Sequence, residues 1–85
     1  MALSPDLVAE LNTLLLFNVT NLQEGIKIHK DADPSRIEAV RRLHEKGLVT
    51  QVDGGYLTVL GGEAAEHIAM VHTILTSALS SSSIA

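Results

Sequence analysis

The fold of this chain is constrained most strongly by one stretch with glycines at its turns, residues 43 to 62 (LHEKGLVTQVDGGYLTVLGG). Gly47 stands where a helix ends in a left-handed residue, and Lys46 before it suits the negative end of that helix. The turn at 53–55 joins two short apolar runs, as the turn of a β-hairpin does. The stretch therefore predicts a helix, a hairpin with strands at 49–52 and 56–58, and a further helix.

Capping signals place the helices around this stretch. Ser4-Pro5 and Asp33-Pro34 each pair a capping side chain with a proline at the first helical position. Thr20 or Asn21 is a candidate cap for a helix between these two, and Thr58 or Gly61 for the last one. The predicted helices span 5–17, 20 or 21 to 30, 34–46, and 58 or 61 to 77 or 78. The expected fold is mainly α with a short β-hairpin, in the order α-α-α-β-β-α.

Length and composition limit the chain to one small domain. With 85 residues, 46% hydrophobic residues and only two aromatic ones, its core must be thin and aliphatic. No cysteine is present, which excludes disulfides and thiolate metal sites. We expect a single domain at 1–79 and a disordered serine-rich tail at 80–85. Without a signal peptide or an apolar run long enough to cross a membrane, we expect a cytoplasmic protein that does not bind membranes.

Apolar residues recur along the last helix at alternating spacings of four and three, which is the spacing of a coiled-coil seam. The seam consists of Ala64, Ile68, Val71, Leu75 and Ala78. Met70 and Ile74 add apolar surface beside it. One interpretation is that the helix packs across helix 1, and the other is that it also pairs with a second subunit. Because one helix of so small a domain cannot bury both sets, we expect a homodimer.

The segment RIEAVRRLHEKGLVTQVDGGYLTVLG (36–61) resembles the recognition helix and wing of winged-helix regulators. Nearly the full chain is also similar to a small uncharacterised bacterial family whose members are loosely labelled DNA-binding or transcriptional regulatory proteins. The residues that match are Phe17-Asn18 and the segments 23–29, 47–51, 53–58 and 64–67. The resemblance implies a winged helix-turn-helix-like fold and a role in transcription regulation, with double-stranded DNA as the partner.

The charge distribution locates the candidate DNA-binding surface. All six basic residues lie within 27–46, where four acidic residues leave a charge of +2, while each flanking segment carries −3. In a helix-turn-helix the helix at 34–46 would enter the major groove, with the preceding helix on the backbone. The candidate DNA-binding residues are Lys27, Lys30, Ser35, Arg36, Arg41, Arg42 and Lys46.

A plainer interpretation of the same helix is a solvated face of mixed charge, with Glu38 paired to Arg41 and Arg42 at helical spacing. Asp31 and Asp33 flank the end of the helix that would enter the groove, and the wing carries Asp53 but no lysine or arginine. Repulsion between these carboxylates and phosphates should make any DNA binding weak and salt-sensitive.

The remaining residue types do not form a catalytic or metal-binding pattern. The four histidines lack the i, i+4 spacing of a helical metal site, and no base accompanies the serines of the tail. We therefore expect a protein that is not an enzyme and has no cofactor and no metal. The alternative to DNA binding is a protein-interaction or dimerisation module on the same scaffold.

Overall fold

A computed structural model of the protein describes residues 2–21 and 23–77. Within them the chain forms three helices and one antiparallel sheet of three strands. The elements are α1 (Pro5–Leu14), β1 (Ile26–Lys27), α2 (Pro34–Glu45), β2 (Val49–Gln51), β3 (Gly54–Leu57) and α3 (Val59–Thr76). The architecture is mixed α/β in the order α-β-α-β-β-α, so the expected order α-α-α-β-β-α is wrong at its second element.

The helix starts confirm the capping predictions. The Ser4 hydroxyl accepts a hydrogen bond from the backbone N–H of Leu7 at 3.1 Å, at the start of α1. At α2 the Asp33 carboxylate accepts one from Ser35 at 2.9 Å. At α3 the Thr58 hydroxyl accepts one from Gly61 at 3.0 Å. Each bond satisfies a backbone donor that has no partner inside its helix, which defines where the helix begins.

The helix predicted from residue 20 or 21 to 30 is wrong. The Asn18 and Asn21 side chains instead accept hydrogen bonds from the backbone N–H groups of Thr20 and Gln23, at 2.9 and 3.1 Å. Such local side-chain bonds compete with helix formation. Farther on, half-buried Ile26 and Ile28 alternate with exposed residues, which is the period of a strand. The first helix also ends earlier than predicted, at Leu14, and residues 15–17 form a turn.

Strand β1 completes the sheet by pairing with β3 on the side away from β2. The strand order is β1-β3-β2, with Ile26 opposite Gly55 and Val49 opposite Leu57. The backbone N–H of Ile28 donates to the Asp53 carbonyl at 2.8 Å. A Cβ atom on Gly54 would lie 2.6 Å from the Ile26 carbonyl oxygen. The backbone φ of Gly54 is +127°, which a side chain also disfavours. The glycine turn therefore both reverses the chain and lets β1 approach.

The core lies where the three helices meet the sheet. Its buried residues come from α1 and the turn after it, α2, both hairpin strands and the first half of α3. They are Leu14, Phe17, Val40, Leu43, Val49, Leu57 and Ala65. Gly47 ends α2 with a φ of +82°, as predicted, and turns the chain into β2. The predicted tail at 80–85 lies outside the described residues.

Candidate functional site

A buried carboxylate that the sequence did not single out holds α1 to α2. The Glu10 side chain is only 6% exposed, and it accepts a hydrogen bond from Arg42 Nε at 2.9 Å. Lys46 Nζ donates to the other carboxylate oxygen of Glu10. Arg42 also donates to the Asp6 carbonyl at 3.3 Å. Two cations at the end of α2 thus share one acid on α1. In the described residues, every buried side-chain polar atom has a hydrogen-bond partner.

The ion cluster shifts the pKa values of Glu10 and Arg42. Burial alone would raise the pKa of Glu10, but the hydrogen bonds and charges of Lys46 and Arg42 outweigh it and lower that pKa below its ordinary value. The hydrogen bond to Glu10 in turn raises the pKa of Arg42. Glu10 therefore stays ionised in the folded protein and stabilises the contact between the helices.

This cluster changes what α2 can offer to a partner. Arg42 and Lys46, two of the candidate DNA-binding residues, turn toward α1 instead. The predicted pair of Glu38 with Arg41 forms at 3.3 Å, whereas Arg42 pairs with Glu10 and not with Glu38. The exposed surface of α2 then consists of Pro34, Ser35, Glu38, Arg41, His44 and Glu45, with His44 counted as neutral. With one positive and two negative side chains, its formal charge is 1 − 2 = −1.

Three further candidate cations are Lys27, Lys30 and Arg36, and we name them together the basic edge. Lys27 lies on β1 and Lys30 in the turn that follows, so their predicted place on a second helix is wrong. Arg36 lies in the first turn of α2. Within 2–21 and 23–77 no side chain of the basic edge forms an ion pair.

An open groove of about 630 Å³ runs beside the basic edge, between the end of α1, β1 and the start of α2. We name it the β1 groove. Its apolar lining comes from Leu16, Ile26, Ile28 and Ala32, and its polar lining from Lys27, His29, Asp31 and Arg36. A second groove of about 410 Å³ lies between the starts of α1 and α2, and Arg36 lines this one as well.

The two halves of α3 differ sharply in burial. In the first half Gly61, Gly62 and Ala65 are buried, and Ala64 and Ile68 pack against the core. From residue 70 to 77 every residue is exposed.

Four large apolar side chains lie in the exposed half of α3, and we name them the α3 apolar face. They are Met70, Val71, Ile74 and Leu75, which are 62%, 47%, 58% and 70% exposed. Their spacing places them on one side of the helix. The predicted seam is thus split: Ala64 and Ile68 serve the core, Val71 and Leu75 face outward, and Ala78 lies outside the described residues.

Comparisons with known proteins place the chain in a family. No curated protein and no solved structure matches it. In the described part of the chain, no helix has the length and apolar character to cross a membrane. A family model described as a family of unknown function (DUF5669) matches residues 1–76. Because that match covers most of its 85 residues, the chain belongs to this family.

Proposed function

We propose that the protein is a non-enzymatic protein-interaction module that forms a homodimer through the α3 apolar face. The observation that supports this most is that every residue from 70 to 77 is exposed, including four large apolar side chains. Large apolar side chains that are exposed together on one side of a protein are often an interaction site, because soluble monomers rarely expose contiguous apolar patches larger than a few hundred Å².

The exposed half of α3 also lacks support from its own domain. A helical segment much shorter than about 12 residues is marginal in water unless tertiary packing holds it. The first half of α3 has such packing through Ala65 and Ile68, and residues 70–77 do not. A partner that covers the α3 apolar face would supply the missing contacts and keep the helix intact to its end.

A second copy of the chain suits this face better than a charged partner does. The segment 70–77 (MVHTILTS) contains no Asp, Glu, Lys or Arg. Two copies can therefore approach along it without the repulsion that a net charge of −4 would cause elsewhere. The same residues on each subunit would meet across a twofold axis, and their spacing suits knobs-into-holes packing.

The scaffold of this module is winged-helix-like in our proposal. In support, α2 is followed directly by the β2–β3 hairpin and then by α3, with β1 paired to the far edge of β3. A turn at 29–32 takes the place of the first helix of a helix-turn-helix, and it is closed by a hydrogen bond from the Ala32 N–H to the His29 carbonyl at 3.0 Å. The proposed likeness therefore rests on α2, the hairpin and α3.

Sedimentation equilibrium tests the proposal directly. The full chain should sediment as a dimer, and Ile74→Glu combined with Leu75→Glu should raise the dissociation constant by about 100-fold or more, because it buries charges in an apolar contact. Thr73→Glu combined with Thr76→Glu is the matched control, since it adds the same two charges to α3 outside the α3 apolar face. The proposal would be contradicted if the original chain stayed monomeric at all concentrations. It would also be contradicted if the control raised the dissociation constant as much as the test variant does.

Duplex DNA is a second candidate partner, and the basic edge is the observation that favours it. Lys27, Lys30 and Arg36 have no carboxylate partner in the described residues, and a homodimer would present two such edges. Lysines and arginines of this kind contact phosphates, which gives affinity without sequence readout. The negative outer face of α2 argues for weak binding.

An NMR titration with a mixed-sequence duplex at low salt tests this second candidate. We expect shifts at residues 27–36 that disappear as salt rises. Lys27→Gln with Lys30→Gln should weaken binding and lower the salt dependence by roughly one released counterion per lysine. Lys46→Gln, which removes a lysine held by Glu10, should have a smaller effect. Shifts confined to other parts of the chain would rule out the basic edge.

A further inference from the structure

Arg36 differs from the other cations at α2. Arg41 pairs with Glu38, and both Arg42 and Lys46 pair with Glu10. Arg36 is half-buried, yet its side chain forms no hydrogen bond or ion pair within 2–21 and 23–77.

The position of Arg36 is also unfavourable for helix stability. It lies in the first turn of α2, where the helix dipole disfavours a positive charge. Since neither pairing nor helix electrostatics explains this arginine, its placement points to something outside the chain. Residues that break a local rule in this way are often functional.

The β1 groove supplies the surroundings that such an arginine needs. Arg36 and Lys27 line it together with the apolar side chains of Leu16, Ile26 and Ile28. Asp31 is the only carboxylate among its lining residues. The groove is open to solvent over its volume of about 630 Å³, so a ligand would lie along it with one side exposed.

The side chains, and not the end of α2, are what an anion would meet here. The Asp33 carboxylate already accepts a hydrogen bond from the Ser35 N–H in the first turn. A negative group in the β1 groove would therefore depend on the Arg36 guanidinium and the Lys27 ammonium.

From this geometry we infer that the β1 groove binds a small amphiphilic carboxylate. Its apolar body lies on Leu16, Ile26 and Ile28, and its carboxylate accepts hydrogen bonds from Arg36, with Lys27 as a second positive charge. A planar guanidinium suits a carboxylate because it donates two parallel hydrogen bonds. This site goes beyond the proposed dimer contact and does not rest on it, since no residue of α3 lines the groove.

The apolar lining separates this ligand from a nucleic acid. A DNA phosphate would use the charges of the basic edge but leave Leu16, Ile26 and Ile28 uncovered. Lys30 provides a further distinction, because it belongs to the basic edge but does not line the groove.

An NMR titration of the full chain with four small molecules tests the inference. Octanoate and benzoate carry both an apolar body and a carboxylate, and they represent aliphatic and aromatic ligands. Octanol lacks the charge, and acetate lacks the apolar body. We expect saturable shifts at residues 16, 26–29 and 36 with octanoate, benzoate or both, and at least tenfold weaker binding of octanol and acetate.

Matched variants then test the role of Arg36. Arg36→Gln should weaken binding of the carboxylate by about tenfold or more, and Lys27→Gln by less. Arg41→Gln removes the same charge from the same helix outside the groove, and Lys30→Gln removes a cation of the basic edge, so each should change binding by less than about twofold. Spectra without ligand confirm that each variant is folded.

Several results would overturn the inference. These are no saturable shifts with either carboxylate, equal binding of octanol, or equal weakening by Arg36→Gln and Arg41→Gln. Because sedimentation reports the dimer and these shifts report the groove, failure of one proposal is distinguishable from failure of the other.

Discussion

The two halves of α3 differ in how they meet the rest of the domain, although Val59 and Leu60 at the start of the helix are exposed like the second half. In the first half small residues such as Gly61 and Ala65 lie in the core, and Ile68 packs against it. In the second half the larger side chains of Met70 and Leu75 face solvent. Small side chains let the first half approach the rest of the domain closely, whereas the second half extends past the part of the domain that packs against α3.

The cations at α2 divide in the same way. Arg42 and Lys46 are held by a buried acid of the same chain, whereas Arg36 has no partner among the described residues. In both helices, residues of one chemical type separate into a group that stabilises the fold and a group that is free to meet something else. The first group should therefore be sensitive in stability measurements and the second in binding measurements.

The largest expected effect is on the packed half of α3. A Cβ atom at Gly61 would run into the backbone carbonyl of Leu48. Gly61→Ala must therefore displace α3 from β2 and should lower the free energy of unfolding by about 3 kcal/mol or more. Urea unfolding followed by circular dichroism measures this. Glu63→Ala, at an exposed position two residues on, is the control, and equal stability of the two variants would refute the close packing.

The exposed half of α3 should stabilise the protein only through a second subunit. At total concentrations about 100 times the dimer dissociation constant, mass action should raise the apparent stability by roughly 1.5 kcal/mol per subunit, or about 3 kcal/mol per dimer. Thermal unfolding of the full chain at increasing concentrations measures this effect. The variant with Ile74→Glu and Leu75→Glu should unfold independently of concentration. A concentration dependence that persists in this variant would place the contact elsewhere.

Among the charged groups, Glu10 should matter most for stability. Glu10→Gln leaves Arg42 and Lys46 without a negative partner and should lower the free energy of unfolding by about 2 kcal/mol. Glu63→Gln, which alters an exposed acid in the first turns of α3, should change it by less than about 0.5 kcal/mol. Urea unfolding at neutral pH compares the two variants. Similar values would mean that the buried ion cluster contributes little.

Acid should weaken the same contact. The pKa of Glu10 is lowered in the folded protein, so its contribution is fully present above the unfolded value of about 4.3. That contribution is lost as the pH falls through the lowered folded pKa. The free energy of unfolding should therefore decrease below about pH 4.3, and Glu10→Gln should reduce this decrease. An identical pH profile for the variant would assign the acid sensitivity to other carboxylates.

The smallest expected effect is at Arg36, the cation of α2 without a partner among the described residues. Arg36→Gln should leave the free energy of unfolding within about 0.5 kcal/mol of the original or raise it slightly, because a positive charge leaves the start of the helix. Arg42→Gln should be destabilising in the same urea experiment, since it removes a partner of Glu10. Destabilisation by Arg36→Gln of the same size would remove the distinction between the two groups.

Local signals in the sequence predicted the parts of the fold that depend on nearby residues. Ser4, Asp33 and Thr58 cap their helices, and Gly47 ends α2, as expected from interactions within a few residues. The segment 25–30 was misassigned because its pairing with β3 depends on residues near position 55. The alternation of apolar residues in GIKIHK was the available signal for a strand.

The candidate sites were less predictable because they depend on contacts between distant residues. Glu10 meets Arg42 across 32 positions of sequence, and no local pattern selects one acid among ten as the partner. The seam of α3 was recognised from its spacing, but periodicity could not show that Ile68 packs against the core while Leu75 is exposed. The length over which the domain supports α3 determines that division, and it follows only from the assembled fold.

Amide hydrogen exchange along α3, measured at two protein concentrations, tests the central claim most directly. Residues 64–68 should be protected at both concentrations, because the core holds them. Residues 70–77 should exchange rapidly below the dimer dissociation constant and become protected above it, as the second subunit covers the α3 apolar face. The claim that a second subunit covers the α3 apolar face would be contradicted if residues 70–77 exchanged at the same rate at both concentrations and the protein sedimented as a monomer throughout.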